Sequence, residues 1–285
     1  MIYLFGFITI FVLIDLLRGY LSAKNKSFYL ARNLIGLLIV IVVLFLFGPF
    51  FIISPIKLGY SSLKEDNLTV FYPSSAPDTG KKIFEEAKRA IKTNDEFYKI
   101  SYDTPILVAL TPFDMLRFGS PPEAGGTGNE LGINIRADKT NEGLIAHEIS
   151  HRYLALFTKK IPVFSVPRWF DEGLASYLGK MDHYKRPEDL KIDLEEGQYH
   201  TNITRWQGYY GLIRWLDLTF VNRNPRLIYG QSYQMVKYLF DKYGQEGVYQ
   251  LLLTFRETSF DKAFYMTLGI TPEEFHQRFM DYIKI

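Results

Sequence analysis

Residues 147–151 read His-Glu-Ile-Ser-His. On a helix, positions four apart lie one turn apart on one face, so His147 and His151 aim their rings at a common point. Two neutral imidazoles suit a zinc ion about 2.0–2.1 Å from each nitrogen. Glu148 follows the first ligand and projects beside the metal, where it can take a proton from an activated water. A catalytic zinc takes a third protein ligand and keeps one position open. The stretch 166–178, VPRWFDEGLASYL, places Glu172 21 positions after His151 on a second short helix. A helix–turn–helix return can bring it to the metal. The plainer alternatives are two surface histidines on a helix and, for Glu172, an acid favoured by a helix N-terminus.

The pair of segments resembles the gluzincin metallopeptidases, most closely their peptidase MA-like branch, in which the pentad is followed by a Trp-x-x-Glu-Gly-Leu-Ala-x-Tyr helix. The resemblance covers roughly residues 68–283 and is specific at these two motifs. It implies His147, His151 and Glu172 as ligands of one zinc per chain and Glu148 as general base. It implies an edge strand above the metal, along which an extended peptide pairs. LGINIR at 131–136 stands in the matching place, with Gly132, Ile133 and Asn134 as substrate contacts. It also implies a tyrosine that steadies the oxyanion. Tyr229, 57 positions past Glu172, matches that motif better than Tyr233, 61 past. Two features depart from the pattern. GGTGNELG replaces the stretch with which aminopeptidases grip a free N-terminus. Ser176 stands where thermolysin-like members carry an aspartate, so the groups behind the zinc ligands must differ. Asp171 is a candidate for that role and equally an ordinary helix-start acid.

These side chains need elements to hold them. Around the pentad, Leu144, Ile145, Tyr153, Leu154 and Phe157 keep to the apolar positions of a helix. Before it, Leu68–Tyr72 and Pro105–Thr111 read as strands, and Lys81–Ile100 as an amphipathic helix. Residues 119–130 form a Gly/Pro loop, and 131–136 alternate like an edge strand. From Asn141 onward the chain reads as mostly helical. Thr271-Pro-Glu-Glu274 is a capping box, and Gly244 and Gly269 are C-caps. Strands and one helix first, then a helical half, make an α+β protein rather than an alternating β/α one. With the resemblance, the expected soluble part, residues 61–285, is a gluzincin/thermolysin-like peptidase domain. His183, His200 and His276 stand alone and read as surface or core histidines.

The start of the chain is apolar. Residues 1–17 contain a single charge, Asp15, and residues 34–53 contain none. Twenty such residues rise about 30 Å as a helix, the thickness of a hydrocarbon core. Two spans, about 1–17 and 34–53, make a transmembrane hairpin over residues 1–60, followed by a linker at 54–67. Arg18, Lys24, Lys26 and Arg32 lie between the spans, which puts that loop in the cytoplasm and residues 61–285 outside it.

The balance of 33 basic and 31 acidic residues hides this asymmetry. Residues 1–60 hold five basic residues and one acid; the remainder holds 28 and 30. That remainder lacks the basic excess of a nucleic-acid binder. With no cysteine, disulfide scaffolds, thiolate metal sites and thiol nucleophiles are excluded. The expected protein is a two-span membrane metallopeptidase that acts on a peptide or protein substrate. The competing expectations are a catalytically silent tethered scaffold and a zinc amide hydrolase with a non-protein substrate.

Overall fold

The computed structural model describes residues 18–160, 165–181 and 225–284, with positions 14, 190 and 191. The expected first span, apart from Ile14, lies outside the described residues, as do His183 and His200. Among the described residues, one helix is long and apolar enough to cross a membrane: α1, Lys26–Phe47. Asn25 caps it by accepting the Phe28 N–H at 3.0 Å. None of its residues is buried.

The span expected at 34–53 is displaced toward the N-terminus. Gly48 is extended and Pro49 supplies no N–H, so the helix stops there. The chain then makes a single 3-10 turn, Phe51–Ile53, and Phe51 and Ile52 are buried against the folded domain. Apolar composition alone does not distinguish a residue facing lipid from one facing a protein core.

The domain is α+β, as expected. Strands β1 (Tyr60–Glu65), β2 (Leu68–Pro73), β3 (Thr104–Ala109), β4 (Gly126–Asn129) and β5 (Gly132–Arg136) form one sheet in the order β1-β2-β3-β5-β4. β2, β3 and β5 run parallel; β1 and β4 are antiparallel outer strands. Two expectations are corrected. Residues 60–65 are not linker but pair with β2 as a hairpin turning at Asp66, which takes φ 49°. LGINIR is not an edge strand. β5 is an inner strand with every residue buried, and the edge is β4, from the stretch read as loop. Gly132, Ile133 and Asn134 therefore lie one strand inward of the expected position. The small residues of Gly-Thr-Gly-Asn carry no strand signal, so β4 is invisible to side-chain alternation.

Helix α2 (Pro77–Tyr98) crosses from β2 to β3 and buries Ile83, Phe84, Ala87, Ala90 and Ile91. Short α3 (Pro112–Arg117) follows β3, opened by a Thr111/Asp114 capping box. Then come α4 (Glu142–Thr158), α5 (Arg168–Leu178), α6 (Pro225–Glu257), α7 (Phe260–Leu268) and α8 (Pro272–Lys284). Gly269 caps α7 in the left-handed region, and Thr271 and Glu274 exchange capping bonds at 3.1 and 2.7 Å. Gly244, at φ 70°, is non-helical and divides α6 into two helical stretches, as its reading as a C-cap expected.

Candidate metal centre

Helix α4 carries the pentad and is fixed from both sides. Asn141 caps it by accepting the Leu144 N–H at 3.0 Å. Toward α2, the Asn94 amide donates to the Ala146 carbonyl at 3.1 Å, and the Tyr153 hydroxyl donates to Asp95. Toward the sheet, buried Arg152 donates to the Asp103 carbonyl at 2.8 Å and to the carbonyls of Asn129 and Glu130. The residue after His151 thus clamps the β4–β5 turn to the pentad helix.

Helix α5 is anchored by aromatic packing. Trp169 stacks on Phe275 with centroids 5.7 Å apart, and Phe170 lies 5.0 Å from Phe260. A Cβ on Gly173 would lie 2.3 Å from the Ser232 carbonyl oxygen. Only glycine lets α5 and α6 approach this closely, and that approach seats Glu172 opposite the histidines.

His147 Nε2 and His151 Nε2 are 3.1 Å apart, and each is 3.5 Å from Glu172 Oε2. All three side chains are largely buried. Three ligand atoms about 2.0–2.1 Å from one ion at tetrahedral angles lie about 3.3 Å from each other. The observed triangle fits that requirement, so the donor set can hold a metal ion. Glu172 divides its oxygens: Oε1 lies 3.4 Å from Arg168 Nη2, and Oε2 faces the imidazoles.

Behind the ligands, Asp171 Oδ1 lies 2.7 Å from His151 Nδ1. A proton on Nδ1 donated to this carboxylate leaves the Nε2 lone pair for a metal. Ser176 Oγ stands 3.4 Å from His147 Nδ1, as a neutral partner for the other imidazole. The carboxylates of Asp171 and Glu172 favour positive charge beside them. Burial raises the Glu172 carboxyl, but hydrogen bonds from both histidines outweigh it and hold the group well below the ordinary carboxylate range. Burial lowers His151, yet Asp171 and Glu172 together hold it well above the ordinary imidazole value. Burial pushes Glu148 up against the lowering influence of the two histidines.

These residues line a cavity of about 420 Å³, walled also by β4, by Asn134 and by the chain just after α1 at Pro49 and Ile52. Glu148 lies against β4, where the Gly128 N–H counteracts part of the effect of burial on its carboxyl. Tyr229 lines the same cavity, its ring 6.4 Å from that of His147. Tyr233, one turn further along α6, packs on Tyr177 at 6.3 Å and is not in the cavity wall. Of the three expected substrate contacts, Asn134 lines the cavity, whereas Gly132 and Ile133 do not. Arg152, Arg168 and the glycines of β4 went unnoticed in the sequence; a run of small residues shortly before the pentad was the available sign of close backbone approach. No protein-family model and no curated protein matches the chain.

Proposed function

We propose that this chain is a membrane-anchored zinc metallopeptidase of gluzincin type. The observation that carries the reading is the buried triangle of His147, His151 and Glu172 donors, with Glu148 beside it and the edge of β4 along one wall. His147, His151 and Glu172 would hold the zinc ion, which when bound would supply Lewis acidity, lowering the pKa of water toward ~7 and polarising a carbonyl. Glu148 accepts the water proton and passes it to the leaving amine. Asp171 and Ser176 hold the ligand rings in orientation. The Tyr229 hydroxyl steadies the tetrahedral oxyanion. An extended peptide pairs with β4 rather than β5, because β4 is the strand with an open side.

Helix α1 anchors the domain, with the apolar run 1–17 as a preceding span. Arg18, Lys24, Lys26 and Arg32 at or before its first turns support a cytoplasmic N-terminal end and an extracytoplasmic domain. The test compares wild type with Glu148→Gln. The amide keeps the shape but cannot accept the proton, so hydrolysis falls by at least ~10²–10⁴-fold while one zinc per chain is retained. Equal hydrolysis by the two proteins, or folded protein that binds no zinc, refutes the reading.

A further inference from the structure

The end of α1 is built into the domain beside the cavity. Phe51, Tyr60 and Phe118 form an aromatic trio, with Phe51 stacked on Phe118 at 5.6 Å and Tyr60 edge-on to both at 5.2 and 6.1 Å. A Cβ on Gly132, which has φ 154°, would lie 2.3 Å from Ile52 Cδ1, and one on Gly119 would lie 2.8 Å from Pro49 Cβ. The membrane-side turn is thus seated on β5 and on the loop after α3.

Two segments hang from this trio. Residues 53–58 run between Phe51 and Tyr60, and α3 ends immediately before Phe118. Among the described residues beyond α1, ten large apolar side chains are exposed; five lie on these two segments, Ile53, Ile56, Leu58, Phe113 and Leu116, and a sixth, Leu110, just precedes α3. Phe113 is 70% exposed, although its neighbour Met115 is fully buried. α3 is about 9 Å long, and its last residue, Arg117, lies against the Phe51 ring of the turn that follows α1. Packing among the described residues does not use the outer face of α3. Scattered exposed apolar residues need no explanation, but a patch continuous with a lipid-length helix does.

We propose that this patch sits in the bilayer interface, so that the domain docks on the lipid surface and the cavity wall formed by Pro49 and Ile52 rests on it. The occupant is the lipid bilayer, because the patch continues directly from α1, whose own surface is wholly unburied. Interfacial segments carry such aromatic and aliphatic residues with cations nearby, here Lys57 and Arg117 against the Phe51 ring. The proposal rests on reading α1 as a membrane span.

The absence of cysteine makes single-cysteine nitroxide labelling direct. Phe113→Cys, Leu116→Cys, Leu38→Cys and Lys82→Cys are introduced singly into the full chain in vesicles of phosphatidylethanolamine and phosphatidylglycerol. Collision with oxygen is compared with collision with a water-soluble nickel chelate. The expected ratio of oxygen to chelate at 113 and 116 lies well above that at 82, on the water side, and approaches that at 38 within α1. Ratios at 113 and 116 equal to that at 82, with 38 still in lipid, overturn the proposal and leave the anchor intact. A water-like ratio at 38 as well overturns both.

Discussion

Replacing Gly128 by alanine puts a methyl carbon 2.1 Å from the Glu148 carbonyl oxygen and 2.9 Å from its carbonyl carbon. Ordinary contact lies at about 3.5–4.0 Å between carbons, so β4 and α4 must part by more than about 1 Å. The obstacle is helix backbone, which no rotamer change can move. β4 is four residues long and, among the described residues, pairs only with β5, so the strand yields rather than the helix. Overpacking of this kind costs about 1–3 kcal/mol. For a domain of this size that is a fall of roughly 2–12 °C in melting temperature, at about 2–4 °C per kcal/mol. The shift also moves β4 away from Glu148 and from the His147, His151 and Glu172 triangle. A 1 Å misplacement can cost about 10²-fold in rate. Gly126→Ala makes the informative contrast: its methyl would meet the Glu148 side chain, 2.7 Å from Cγ and 3.0 Å from Oε1. A side chain can swing, so this variant should lose little stability while still displacing the Glu148 carboxylate. Thermal unfolding and peptide hydrolysis of both variants, in the same membrane mimetic, check the argument. A Gly128→Ala protein with wild-type melting temperature and wild-type kcat/KM refutes the close packing of β4 on α4.

Asp171→Ala should weaken zinc binding by about 10–100-fold, read by competition with a chelating dye, because His151 loses the group that sets its tautomer. Unchanged affinity would show the 2.7 Å contact to be incidental. Tyr229→Phe should lower kcat by about 10²-fold with little change in KM, while Tyr233→Phe should keep kcat, since its ring packs on Tyr177. The reverse pattern places the oxyanion donor one turn further along α6. If the domain docks on lipid, a peptide tethered to vesicles by an acyl anchor should be cleaved faster than the same peptide free at equal bulk concentration; equal rates count against surface presentation.

The pentad, an apolar helix overlapping 34–53, the amphipathic α2 and the Thr271/Glu274 cap were legible in the sequence because each is a local pattern. Their residues lie within a few turns of one helix, and helical period alone sets which share a face. Glu172 was a candidate on the same footing, as a carboxylate on the next helix at a reachable distance.

The tertiary structure decided what local period cannot reach. Whether LGINIR or Gly-Thr-Gly-Asn forms the sheet edge depends on which strand finds a second partner. β5 pairs on both sides, with β3 and β4, and so is internal. Asp171 could have been a solvated helix-start acid; the approach of α4 to α5 made it the partner of His151. Tyr229 and Tyr233 are one turn apart with similar spacing from Glu172, and only the docking of α6 sends one ring to the cavity and the other to Tyr177. At the end of α1, Phe45 and Phe51 belong to one apolar run, yet one lies in α1 and the other in the domain core. Hydrophobicity is non-directional: it drives both residues out of water and does not say into what. That choice was made by the cavity that Leu107, Met115 and Phe118 leave for Phe51, a feature assembled from residues more than fifty positions away.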